Sequence, residues 1–129
     1  MKTFEELGLS ESLLKAISEL GFETPMPIQE EVIPFLLDGD SDVIALAQTG
    51  TGKTAAYGLP ILQKLDSSLN KPQSLVLSPT RELCIQIADD LKDFAKYSDD
   101  VHVMPVYGGA SIKNQIDGLR RGVQILVAT

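Results

Sequence analysis

Apolar positions near the N-terminus recur every three or four residues, whereas further along the chain they gather into short runs separated by amphipathic stretches. The stretch "LSESLLKAISELGF" places Leu13, Leu14, Ile17 and Leu20 on one helical face, with Ser10 as the capping residue and Gly21 as the stop. "PIQEEVIPFLLDGD" predicts a second helix that opens on Pro27 and bends at Pro34. "DVIALA" is almost wholly apolar, as suits a strand buried on both faces, and "TGTGKTAAYGLPILQKLD" follows as a loop and then a helix. The alternation continues with "SLVLS" as a strand, "TRELCIQIADDLKDFAKY" as a helix, "VHVMPVY" as a strand, "SIKNQIDGLRRG" as a helix and "QILVAT" as a last strand.

Apolar strands alternating with helices imply an α/β fold: a parallel sheet with helices on both faces, joined by right-handed crossovers. Ligands of such sheets collect at the carboxyl ends of the strands. Those ends carry "AQTGTGKT", "SPTREL", "YGGAS" and the terminal "AT", so function is expected along that edge. No repeat, low-complexity block or Gly/Ser linker interrupts the pattern, and 1–129 reads as one domain, with a helical segment 1–40 ahead of a sheet portion 41–129.

Composition adjusts this picture only a little. A 129-residue chain with 43% hydrophobic residues can bury a core. No apolar run is long enough to span a bilayer, and "MKTFEELGLS" has neither the basic start nor the apolar stretch of a signal peptide, so a soluble, cytoplasmic protein with no membrane partner is expected. The single cysteine, Cys84, lies in a helical pattern and reads as a small core residue. A net charge of -7 argues mildly against nucleic acid as a partner, although the placement of a few cations and backbone donors matters more than the total.

The sharpest chemical signal is "LAQTGTGKTAAYG". Gly50 and Gly52 let the backbone curl so that successive N–H groups converge on an anion, and the following helix adds its positive end. Lys53 can reach outer phosphates, and the Thr54 hydroxyl is placed to ligate Mg²⁺. Ala47 stands where the general phosphate-loop pattern has its first glycine. By itself the loop indicates a nucleoside triphosphate site and leaves kinases, GTPases, transporters and helicases open.

The flanking segments narrow the choice. Phe4, "GFETPMPIQ" (Gly21 to Gln29), "AQTGTGKT" (Ala47 to Thr54), "PTREL" (Pro79 to Leu83) and the pair Gly108 and Gly109, at their mutual spacing, resemble the first RecA-like domain of a DEAD-box ATP-dependent RNA helicase, a P-loop NTPase. Ala47 is the usual residue of that family. The resemblance implies that Gln29 reads the adenine edge, that Phe4 stacks on the adenine face, and that Thr24, Gln48, Thr49, Gly50, Thr51, Gly52, Lys53 and Thr54 hold ATP, with Lys53 and Thr54 serving catalysis and Thr54 the Mg²⁺. Read from the residues alone, Gln29 is rather a solvent-facing residue in a first helical turn, and Phe4 is equally a hydrophobic anchor for the chain end. Met26 departs from the Thr or Ser common in the family and offers no hydroxyl. Pro79, Thr80, Arg81, Gly108 and Gly109 are implied to bind an RNA backbone without reading bases. Thr80 can cap its helix at the same time, while Arg120, Arg121 and His102 read as solvated or structural.

Hydrolysis also needs an acidic residue, usually at the end of an apolar strand. "SLVLS", "VHVMPVY" and "QILVA" end in no such residue, and Asp38 lies in a helical stretch. The resemblance places the acidic motif beyond Thr129 and adds a second RecA-like domain as partner. The chain is therefore expected to be a truncated part of a helicase that binds ATP or ADP weakly and neither hydrolyses ATP nor unwinds RNA alone. Strands that lie between the phosphate-loop strand and "SLVLS" in the whole family domain are not in it, so a dimeric, domain-swapped or rearranged state is expected. The alternatives are a DNA-directed NTPase of the same superfamily and a non-catalytic nucleotide-binding module.

Overall fold

A computed structural model describes residues 2–50 and 52–129. Its elements are α1 (Glu11–Glu19), α2 (Pro27–Leu37), α3 (Lys53–Lys64), β1 (Ser74–Leu77), α4 (Arg81–Phe94), β2 (Val103–Val106), α5 (Ile112–Arg121) and β3 (Ile125–Ala128). They divide between two compact units, Met1–Lys64 with Phe94–Tyr97, and Leu65–Asp93 with Ser98–Thr129.

The first unit is helical. α1 buries Leu13, Ala16 and Ile17, follows its N-cap Ser10, and gives way to Gly21, whose φ of 90° is the left-handed conformation that ends a helix at little cost. α2 runs through Pro34 and buries Gln29, Val32 and Ile33. The far end of α3 is tied to the start of α1 by one side chain: Ser10 N donates to Gln63 Oε1 at 2.8 Å, and Gln63 Nε2 donates to the Gly8 carbonyl at 2.7 Å.

The second unit contains a parallel sheet in the order β1-β3-β2. β3 lies in the middle, and its Ile125 and Val127 are fully buried. From β1 the chain steps past the β3 position to β2 through α4, then back to β3 through α5. Right-handed crossovers taken in opposite directions place successive helices on opposite faces of such a sheet. The register aligns Leu77, Ala128 and Val106, so Ser78, Thr129 and Tyr107 emerge at one edge. Buried Gln124 holds the opposite end, accepting from His102 N at 2.7 Å and donating to the Leu69 carbonyl at 3.3 Å. Cys84 is buried in α4, its Sγ 3.0 Å from the Val127 carbonyl, in the small structural role its context suggests.

One element departs from the sequence expectation. Residues 42–47, read above as a fourth strand, have no regular secondary structure. Ile44 and Leu46 are 92% and 91% exposed, although the apolar pattern suits burial on both faces. The reason is pairing: a strand needs a neighbour to take its N–H and C=O groups, and the strands among the described residues pair only with one another. β1 likewise leaves Leu75 and Leu77 at 60% and 71% exposure.

Candidate nucleotide loop and nucleic-acid edge

The loop from Ala47 to Thr54 is positioned by the elements that follow and precede it. Gly50 and Gly52 take φ values of 77° and 82°, turning the chain into α3, which begins at Lys53. The first intrahelical bond runs from Ala56 N to the Gly52 carbonyl at 3.1 Å, so the N–H groups of the first helical turn face the loop without an intrahelical acceptor. That is the donor array an anion needs. The Lys53 ammonium is exposed and donates to the Ala47 carbonyl at 2.8 Å, closing the loop across its base. A phosphate oxygen, carrying charge, is a stronger acceptor than this neutral carbonyl and can displace it. Gln48 and Thr49 are exposed and Thr54 is half-buried. Thr51 lies outside the described residues.

Gln29 is held at both ends of its carboxamide. It is 2% exposed at the third position of α2, not solvent-facing. Its Oε1 accepts from Met26 N at 2.9 Å, and its Nε2 donates to the Gly52 carbonyl at 3.2 Å. Met26 is the N-cap of α2 without a side-chain cap bond, and the carboxamide at the third position reaches back to its backbone N–H, the half of a capping box that needs no hydroxyl at the N-cap. The same carboxamide ties α2 to the phosphate loop. A Cβ on Gly52 would collide with it, which gives that glycine a packing reason beside its positive φ. One further N–H and one further lone pair of the carboxamide remain for a ligand.

Phe4 is 5% exposed, with its ring 5.9 Å from Phe22, which in turn meets Phe94 edge-on at 5.9 Å. In this conformation it anchors the N-terminal segment. Thr24 is exposed. Met26, Pro27, Ile28, Glu31, Leu46 and Ala47 line an open, mostly apolar cleft of about 280 Å³ where the start of α2 meets the loop. The apolar walls Ile28 and Leu46 carry no signal in the sequence, because nothing in their chemistry distinguishes them from core residues.

In the second unit the sheet edge assembles "PTREL" and "YGGAS". Thr80 Oγ1 accepts from Leu83 N at 3.2 Å and the Thr80 carbonyl accepts from Cys84 N at 3.0 Å, so Thr80 caps α4. Pro79, Thr80 and Arg81 are exposed. The Arg81 guanidinium lies 5.7 Å from the centre of the Tyr107 ring. Gly109, at φ 87°, passes so close to it that a Cβ would stand 2.5 Å from Arg81 Nη2, whereas a Cβ on Gly108 would meet only open space. The two glycines therefore differ: one makes room for an arginine and the other is simply exposed. Tyr107 is a site residue that the sequence reading passed over. Arg120 and Arg121 close α5, and the His102 side chain is exposed just before β2. Among the described residues no group of three His, Cys, Asp or Glu side chains could hold a metal ion, and no helix is long and apolar enough to cross a membrane.

One unit carries a parallel α/β sheet, and the other a Gly-rich loop opening a helix with a buried glutamine joining that loop to the preceding helix. The sequence matches the DEAD/DEAH box helicase family over residues 26–129, and the chain belongs to that family. It is 51% identical over 127 residues to the ATP-dependent RNA helicase DeaD of Haemophilus influenzae, covering 98% of this chain and 21% of that protein. The enzyme of the same name from Escherichia coli strain K12 is 52% identical over 127 residues, with 98% and 20% covered. The chain thus spans about a fifth of the length of these curated relatives. Among solved structures, a DEAD box protein from the hyperthermophile Methanococcus jannaschii superposes with a TM-score of 0.91 at 38% identity, covering 98% of this chain and 34% of that one. Saccharomyces cerevisiae Dbp5 bound to RNA and ADP BeF3 gives 0.89 at 35% identity, covering 100% and 32%.

Proposed function

We propose that this chain is the nucleotide-binding part of the first RecA-like domain of an ATP-dependent RNA helicase, contributing the phosphate loop and part of an RNA-backbone surface. The observation that carries the reading is the Gln29 bridge, which couples the adenine-recognition segment to Gly52 of the loop through one buried carboxamide. ATP would be held by Gln29 and Thr24 at the base, with Phe4 released to stack on it, and by Gln48, Thr49, Gly50, Thr51, Gly52, Lys53 and Thr54 at the phosphates. The described residues offer Mg²⁺ the Thr54 hydroxyl, which fits an ion carried mainly by the nucleotide's own phosphates and by water. That ion would neutralise phosphate charge.

RNA would lie along Pro79, Thr80, Arg81, Gly108 and Gly109, contacted through phosphates without base readout. Duplex remodelling and turnover are proposed for an assembly with a second RecA-like domain, working in the cytoplasm, where ATP and RNA coexist. The 129-residue chain by itself is proposed to bind nucleotide weakly without appreciable hydrolysis, since no apolar strand ends in a carboxylate, and to self-associate through its uncovered apolar segments. Titration with a fluorescent ADP tests the reading: ATP should compete better than GTP, and Lys53→Ala should abolish binding. Equal binding by Lys53→Ala, or equal competition by GTP, would overturn it. Preference for single-stranded DNA over RNA would favour the DNA-directed alternative.

A further inference from the structure

We infer that Tyr107 is a positioning residue for RNA binding, acting by holding the Arg81 guanidinium in place at the sheet edge; the inference rests on the reading of Arg81 as a phosphate contact. Arg81 is the first residue of α4, exposed, and has no carboxylate at ion-pair distance among the described residues. A free arginine in that situation samples many rotamers, and its ordering entropy is spent when it binds a ligand. Here two features restrict it. The face of the Tyr107 ring lies 5.7 Å from the guanidinium carbon, within the range of a cation–π contact. The backbone of Gly109 also runs close to the guanidinium, so close that a Cβ added there would stand 2.5 Å from Nη2.

The backbone of Tyr107 is itself held. Its carbonyl accepts from Gln115 Nε2 at 3.2 Å, and Ser111, which caps α5, accepts from Asn114 N at 3.3 Å. The route of placement therefore runs from the first turns of α5, through the loop after β2, to the ring and then to the cation. A guanidinium held over a ring face by a cation–π contact keeps N–H groups with which to meet a phosphate.

The test joins a spectroscopic reading with a thermodynamic cycle, using the 129-residue chain and a fluorescein-labelled single-stranded RNA. The Arg81 Nε–H resonance should show an upfield ring-current shift in the wild type and in Tyr107→Phe, and lose it in Tyr107→Leu. RNA affinity should fall about two- to fivefold in Tyr107→Leu, the range of an exposed cation–π contact. Tyr107→Phe should bind as the wild type does, because the ring is kept. In an Arg81→Ala background, Tyr107→Leu should have no further effect. An equal loss in that background would show that the ring touches RNA directly or supports the fold, and would overturn the inference. So would the lack of a ring-current shift in the wild type, whatever RNA does. If the shift is present but Arg81→Ala binds RNA normally, the reading of Arg81 fails, and the role of Tyr107 in binding fails with it.

Discussion

Replacing Gln29 with alanine separates its structural work from ligand recognition. The substitution removes the acceptor that caps α2 at Met26 N and the donor to the Gly52 carbonyl. Loss of a cap costs about 1 kcal/mol. Loss of the second hydrogen bond costs about 1 kcal/mol more, and the alanine regains a few tenths through helix propensity. The net is about 2 kcal/mol. With an unfolding entropy of about 2.1 cal/mol/K per residue, a chain of 129 residues should then lose about 7 °C in Tm. Far-UV circular dichroism measures the midpoint, and amide exchange at Lys53–Ala56 should accelerate, because the first turn of α3 loses its tie to α2. A Tm within about 2 °C of wild type, with exchange in α3 unchanged, would refute the bridge.

Three further outcomes follow from the same structure. Ile44→Ser combined with Leu46→Ser should reduce self-association in light scattering while leaving Tm within about 2 °C, since side chains 92% and 91% exposed contribute little to folding. Burial of Asp90, reinforced by repulsion from Asp93 and Asp89, holds its carboxyl above the usual aspartate range. The folded state thus binds the proton more tightly than the unfolded one, so stability falls as pH rises from the ordinary value of 3.8 through the folded value, and the cost persists at neutral pH. Asp90→Asn should accordingly raise Tm at neutral pH, with the gain gone below about pH 3.8. Glu19 is the opposite case: the Tyr97 hydroxyl, with Lys96 and Lys15, lowers its pKa, so its contribution is present above the ordinary value of 4.5 and lost as pH falls through the folded value. Wild type and Glu19→Gln should therefore differ in Tm at neutral pH and converge in acid.

The sequence by itself determined what is local. Helical spacing, the Ser10 cap, the Gly21 stop and the short apolar runs of β1, β2 and β3 are encoded over a few residues, and they appear where the pattern put them. The left-handed turns at Gly50 and Gly52 and the start of α3 at Lys53 are equally local, so the backbone course of that loop was legible too. Tertiary structure decided whatever depends on a distant partner. "DVIALA" has the composition of a strand, but a strand exists only when a neighbour takes its backbone hydrogen bonds, and Ile44 and Leu46 stand exposed instead. Gln29 reads as a surface residue until Gly52, twenty-three positions away, supplies the carbonyl that buries it. Tyr107 carries no motif of its own, and its meaning comes from the parallel register that brings the ends of β1 and β2 to one edge and sets its ring beside Arg81.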